Sequence, residues 1–189
     1  MKIIGLSGKK RAGKDTVYKV AADILADQKK NARVGRVGFA DAVKHEVSEI
    51  TGFRMDFIEK HKDDFRSLLQ VWGTDFRRKF FGSDYWVEQM DEVIRSSEDH
   101  YDFLFITDVR FDNEAEFITQ QGGVIVKVER RNTVFSNIQD AVEDPHISEN
   151  AMNSYSNYNY ILNNDGTEKE LYDSVKAMLG TINILENAA

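Results

Sequence analysis

The segment Gly8-Lys9-Lys10-Arg11-Ala12-Gly13-Lys14 constrains the fold of this chain more than any other feature. It follows an apolar run, Lys2 to Leu6, that reads as a β-strand, and it opens a helical pattern from about Lys14 to Gln28. Glycines at such a turn let the backbone tighten until its N–H groups surround the oxygens of a phosphate. The helix N-terminus adds positive potential, and the closing lysine reaches further along a phosphate chain. Strand, glycine loop and helix in that order make a P-loop, so the expected ligand is a nucleoside triphosphate. Lys14 is expected on its β- and γ-phosphates, with Gly8, Lys10, Ala12 and Gly13 supplying the loop. One position departs from the usual pattern: Asp15 stands where Ser or Thr commonly follows the lysine, and Thr16 comes one place later. Either Asp15 holds magnesium through water, or Thr16 bonds the α-phosphate while the ion rests mostly on other groups.

Further β-type runs lie at Arg33 to Phe39, Phe103 to Val109, Val124 to Glu129 and Asn159 to Leu162, separated by longer helical patterns. That alternation predicts an α/β fold with a five-stranded parallel sheet flanked by helices, in one domain over residues 1–189. The stretch between the second and third runs is far longer than a simple crossover. It reads as helices Ala42 to Ile50, Phe65 to Phe80 and Asp84 to Ser96, an inserted helical lobe over 41–98. Its middle helix carries Phe65, Leu69, Trp72, Phe76 and Phe80 at spacings of three and four, the pattern of a core-facing stripe. One position along, Arg66, Gln70, Gly73 and Arg77 form a second stripe. It is either a solvated face or a substrate surface offering phosphate contacts, a base-reading amide and room for close approach.

Charge and composition exclude several classes of function. With 25 basic against 32 acidic residues the net charge is -7, which argues against a protein that coats polymeric nucleic acid. The absence of cysteine removes disulfides and thiolate metal sites and suits the cytoplasm. No apolar run approaches the roughly 18 residues of a membrane span, and the N-terminus turns glycine-rich too early for a signal peptide.

Two acidic residues are expected at the ligand-binding edge of the sheet. Asp41 ends Gly38-Phe39-Ala40-Asp41 and either orients magnesium waters or the acceptor, or caps a helix beginning at Ala42. Asp108 ends the third strand as a metal-site carboxylate, with Arg110 placed to neutralise transferred phosphate and Glu114 to support Arg110; the alternative is an ion pair between Asp108 and Arg110. Arg130 and Arg131 follow the fourth strand and begin a polar segment, 130–146, of the kind that closes over phosphates as a lid. After the fifth strand, Asn164, Gly166 and Thr167 read as a turn and helix cap, compatible with backbone contacts to a nucleotide base. Trp72 and Trp86 are candidates to stack a base.

Taken in order, the P-loop through Asp15-Thr16, Phe39-Ala40-Asp41-Ala42-Val43-Lys44, Leu69 to Arg77, Asp108-Val109-Arg110-Phe111-Asp112-Asn113-Glu114, His146-Ile147-Ser148-Glu149 and Asn163-Asn164-Asp165-Gly166-Thr167 resemble the phage-type deoxynucleoside monophosphate kinases. Asp15 after the lysine is similar to what that family and the related phosphomevalonate kinases carry. The resemblance implies a P-loop nucleoside monophosphate kinase-like fold with an acceptor-binding insertion and lid, ATP as phosphoryl donor, and a deoxynucleoside monophosphate as small-molecule acceptor; on the residues themselves, Asp108 with Asp15 or Asp41 is expected to position Mg2+. It brings Lys44 into the substrate site and leaves a homodimer open. Kinases of hydroxyl acceptors, such as dephospho-coenzyme A kinases, would need a general base, for which Asp41 is the candidate.

Overall fold

Short runs of Ile, Val, Leu and Phe pair into one parallel sheet: β1 (Lys2–Ser7), β2 (Val34–Val37), β3 (Phe103–Val109), β4 (Val124–Glu129) and β5 (Tyr160–Asn163), in the order β2-β3-β1-β4-β5. The structure, a computed structural model, describes residues 1–131 and 146–184. Strands of a parallel sheet are covered on both faces, so β1 and β3 are continuous apolar runs rather than alternations. One face is covered by α1 (Lys14–Gln28) and the C-terminal helix Glu168–Thr181, whose Ile24, Leu25, Val175 and Met178 pack on Ile4, Leu6 and Phe105.

The other face takes α2 (Phe39–Thr51) together with two later helices, Tyr85–Ser97 and Asp112–Gln120. Their Phe39, Trp86, Met90 and Ile118 pack on Ile3, Leu104 and Ile106. Because the chain leaves β1 toward one face and β3 toward the other, their ends diverge and open a crevice above the sheet.

Between β2 and β3 the chain runs through α2, α3 (Met55–Lys60), α4 (Lys62–Gln70), a π-helical stretch (Val71–Arg78), a short turn Lys79–Phe81, and α5 (Tyr85–Ser97). The sequence pattern places no helix over α3. The second strand is shorter than Arg33 to Phe39, because α2 begins at Phe39 with Gly38 as its N-cap. Asp41 therefore lies inside the first turn of α2 and does not cap a helix starting at Ala42.

The π-helical stretch corrects the expected core stripe. Phe65, Leu69 and Trp72 are half-buried, but Phe76 is 37% and Phe80 68% exposed, and Gly73 is the residue that packs inward. A π-helix bonds i to i+5 and winds more residues into each turn, so a pattern counted at 3.6 loses phase after Val71. A Cβ on Gly73 would stand 3.3 Å from both Val43 methyls, so glycine lets this stretch seat against α2. The remaining helices are α6 (Asp112–Gln120), α7 (Ile147–Asn150) and α8 (Glu168–Thr181). The lid expected over 130–146 falls, from 132 to 145, outside the described residues.

Candidate active site

The P-loop backbone takes two conformations that favour glycine. Gly8 has φ 148° and Gly13, the N-cap of α1, has φ 93°. A Cβ would fall 2.3 Å from the Val128 carbonyl at Gly8 and 2.3 Å from Asn164 Nδ2 at Gly13. Gly13 makes no side-chain cap hydrogen bond to the first turn of α1, so its N–H groups suit a phosphate. Asn164 acts on the loop itself: its buried Nδ2 donates to the Ala12 carbonyl at 2.9 Å, across 152 positions of chain. Thr167 caps α8 in a capping box with Glu170, and a Cβ on Gly166 would crowd that glutamate. Asn164, Gly166 and Thr167 thus shape the edge beside the loop, and none of them lines the cleft described next.

A cleft of about 650 Å³ lies between the P-loop and the helices that follow β2. Its lining brings together Lys10, Gly13, Lys14, Asp15, Thr16, Lys44, Arg66, Gln70, Gly73, Trp86, Asp108, Arg110, Glu114 and Arg130 from the sequence reading. Arg131 lines the smaller cavity of about 370 Å³ beside it, together with Gly8 and Ala12. Lys14 Nζ donates to the carbonyls of Gly8 at 2.6 Å and Lys9 at 3.0 Å. Burial, with the nearby Arg110 charge, lowers its pKa to about 8.

Asp108 is tied into the fold. Its two carboxylate oxygens accept the backbone N–H groups of Phe39 at 2.8 Å and Ala40 at 2.9 Å, so it caps α2 from the end of β3. Asp41 is held at 2.9 Å by Arg36, which also donates to Thr107 and lies 4.0 Å from Asp15, and at 3.4 Å by Lys44, itself paired with Glu59 at 2.7 Å. Magnesium bound with phosphates keeps most of its waters and needs only one or two protein carboxylates, and this donor set fits it. Asp15 is 71% exposed beside the loop, and each Asp108 oxygen retains a lone pair for water. Among the described residues no group of three or more His, Cys, Asp or Glu forms a closed metal cage.

Trp72 and Arg77 lie outside the cleft lining. Trp72 Nε1 and Arg77 Nε both donate to Glu46 at 2.7 and 2.6 Å, Tyr85 donates to its other oxygen, and the Arg77 guanidinium sits 4.8 Å from the Phe81 ring centroid. Arg78 takes the cleft position expected for Arg77, because the π-helical winding advances that face by one residue. It donates to the buried Glu114 and stacks over Phe111 at 4.0 Å. Trp86 is buried, and its indole N–H is used by the Gly73 carbonyl at 2.7 Å, so it offers a ring and no donor.

Glu114 positions Arg110 through the backbone, accepting the Arg110 N–H at 2.7 Å and that of Phe111 at 3.2 Å. Burial pushes its carboxyl up to about 7 against the pull of Arg78 and those donors. A folded-state pKa above the unfolded value of 4.5 means the fold holds the proton more tightly, so this group's contribution to stability falls as pH rises from about 4.5 to 7. Melting temperatures of wild type and Glu114→Gln across pH 5 to 8 check this. The wild type is expected to lose several degrees relative to the variant over that range.

Sequence reasoning missed Arg36, Arg78 and Glu149. Arg36 was signalled by an arginine inside an otherwise apolar strand, Val34-Gly35-Arg36-Val37. The other two depend on helical phase and on contacts far apart in the chain.

The family model for deoxynucleotide monophosphate kinases matches residues 39–175, well over half of the chain. The chain belongs to the deoxynucleotide monophosphate kinase family. Within that family, a protein of Acanthamoeba polyphaga mimivirus, provisionally named deoxynucleotide monophosphate kinase, is 30% identical over 203 residues, covering 93% of this chain and 94% of its own. The deoxynucleotide monophosphate kinase of Enterobacteria phage T4 is 26% identical over 145 residues, covering 75% of this chain and 57% of the phage protein. Among solved structures, the shikimate kinase of Bacteroides thetaiotaomicron superposes with a TM-score of 0.51 at 16% identity, covering 96% of this chain and 98% of that one, a likeness of fold. No described helix of this family member is long and apolar enough to cross a membrane.

Proposed function

We propose that this member of the deoxynucleotide monophosphate kinase family transfers the γ-phosphoryl group of ATP to the phosphate of a deoxynucleoside monophosphate, in the cytoplasm of its host cell. The observation that carries the reading is the approach of two guanidiniums, Arg66 from α4 and Arg110 from the end of β3, to one carboxylate oxygen within the cleft that Lys14 also lines. A phosphate acceptor is already ionised; it needs cations to lower the repulsion between two anions and no general base. Asp41, the candidate base for a hydroxyl acceptor, is held by Arg36 and Lys44, which favours the phosphate acceptor further.

In this mechanism the P-loop N–H groups and Lys14 hold the β- and γ-phosphates, and Arg66 and Arg110 align the acceptor phosphate for in-line attack. Arg130, which lines both the cleft and the smaller cavity, and Arg131, which lines the smaller cavity, would contact the donor. Asp15 and Asp108 would hold magnesium through water, and the ion would neutralise charge on the phosphate oxygens. Gln70, the Trp86 ring and Arg78 line the region suited to the base, and the acidic net charge supports small nucleotides over polymers as partners.

A coupled ADP-release assay across ribo- and deoxynucleoside monophosphates, with phosphomevalonate and dephospho-coenzyme A as controls, tests the reading. Activity confined to either control would overturn it. Arg66→Ala is expected to raise KM for every monophosphate and lower kcat, since its charge both binds and aligns the attacking group. Gln70→Ala is expected to reorder the bases by roughly fivefold to a hundredfold, the loss of one hydrogen bond at a desolvated edge. Steady-state constants at saturating ATP separate the two. If both variants keep wild-type constants, the acceptor lies elsewhere.

A further inference from the structure

Glu149 lies on α7, just after the 130–146 segment, and lines both the large cleft and the smaller cavity beside it. Its side chain is 9% exposed. One oxygen, Oε1, is 2.6 Å from Arg66 Nη2 and 2.6 Å from Arg110 Nη1. Arg110 also donates to the Ser148 carbonyl at 3.3 Å, and the turn is fixed by His146, whose Nδ1 accepts the Ser148 N–H at 3.2 Å. The carboxylate is therefore held in place from both sides of the cleft.

A carboxylate and a phosphate ask for the same donors in the same fork geometry. An arginine pair open to water accepts any small phosphate-like anion. A carboxylate carried on the same chain competes at an effective concentration on the order of millimolar or above, whatever the solution contains. Keeping Glu149 in place beside an acceptor phosphate and a triphosphate would set three anions against the same few cations, so carboxylate and acceptor phosphate are alternatives.

We propose that Glu149 is an affinity-setting residue that occupies Arg66 and Arg110 as a tethered competitor, to be displaced by the acceptor phosphate. This rests on the acceptor-site reading above. A tethered competitor weakens every phosphate ligand by the same factor. The nucleotide keeps a useful affinity because its base and sugar bind elsewhere in the cleft; a free phosphate ion has no such contacts and is moved out of range. Glu149 thus sets the threshold that excludes simple anions.

The test is calorimetric titration of inorganic phosphate and of each deoxynucleoside monophosphate into wild type, Glu149→Gln, Glu149→Asp and Arg66→Ala, with a thermal melt of each. Glu149→Gln is expected to bind phosphate and the nucleotides more tightly by a common factor of about tenfold, and its turnover at nucleotide concentrations below KM to become sensitive to phosphate concentrations that leave wild type unaffected. Glu149→Asp keeps the charge on a shorter arm and is expected to move both affinities the same way by less; it carries the test if the glutamine variant does not fold. If a folded Glu149→Gln binds both ligands equally to wild type or more weakly, Glu149 is a brace for the arginines and the proposal fails. If Arg66→Ala leaves nucleotide affinity unchanged, the acceptor-site reading fails instead.

Discussion

Lys14→Ala is expected to remain folded and to lose phosphoryl transfer by a hundredfold to a thousandfold or more. Each of its two hydrogen bonds ends on a carbonyl of the P-loop itself, at Gly8 and Lys9, so their loss touches no distant element and costs the fold little. The ammonium matters when charge moves between the β- and γ-phosphates, and one such donor is worth about 10² to 10³ in kcat. With a pKa of about 8 in the free protein, the lysine starts to lose its proton as pH rises past that value, and a neutral amine cannot pair with phosphate. The wild-type kcat/KM for ATP is therefore expected to fall above about pH 8. The coupled assay and a circular-dichroism melt check both statements, and turnover within a few-fold of wild type would remove Lys14 from the mechanism.

Asp108→Asn is expected to fail twice. The amide loses the charge that steadies the magnesium water shell, so turnover drops strongly and the magnesium dependence weakens. It also presents an NH2 where the carboxylate accepted a backbone N–H, at Phe39 or at Ala40. One helix N-terminal donor is left facing another donor, a loss of roughly 1 to 3 kcal/mol and several degrees of melting temperature for a chain of this size. A magnesium titration at a temperature where the variant is folded separates the two effects. A lowered melt with the wild-type magnesium profile and rate would make Asp108 purely structural.

What could be read from sequence depended on how locally each feature is determined. The P-loop and strands were legible because their conformations are set by neighbours in the chain: glycines where φ is positive, continuous apolar runs where both faces are covered. The start of α2 was not, because its cap comes from Asp108, 69 positions away from Phe39. Arg77 was expected in the cleft in place of Arg78 because a single period was carried through a helix that changes its winding at Val71. Glu149 belonged to a recognised motif, but its partners sit on α4 and after β3, and only the folded chain brings them to one point.

The brace from Asn164 to the Ala12 carbonyl has a consequence for biosynthesis. The nucleotide loop leaves the ribosome well before β3 and β4, the two strands that flank β1 in the described sheet. Its last support arrives with the turn after β5. A nascent chain therefore carries the whole glycine-rich motif through the 152 positions that separate Ala12 from Asn164 without the brace that shapes it. Nucleotide affinity is a late acquisition, gained once the turn after β5 has been made, and an arrested chain ending before β5 is expected to bind ATP weakly even with the motif intact.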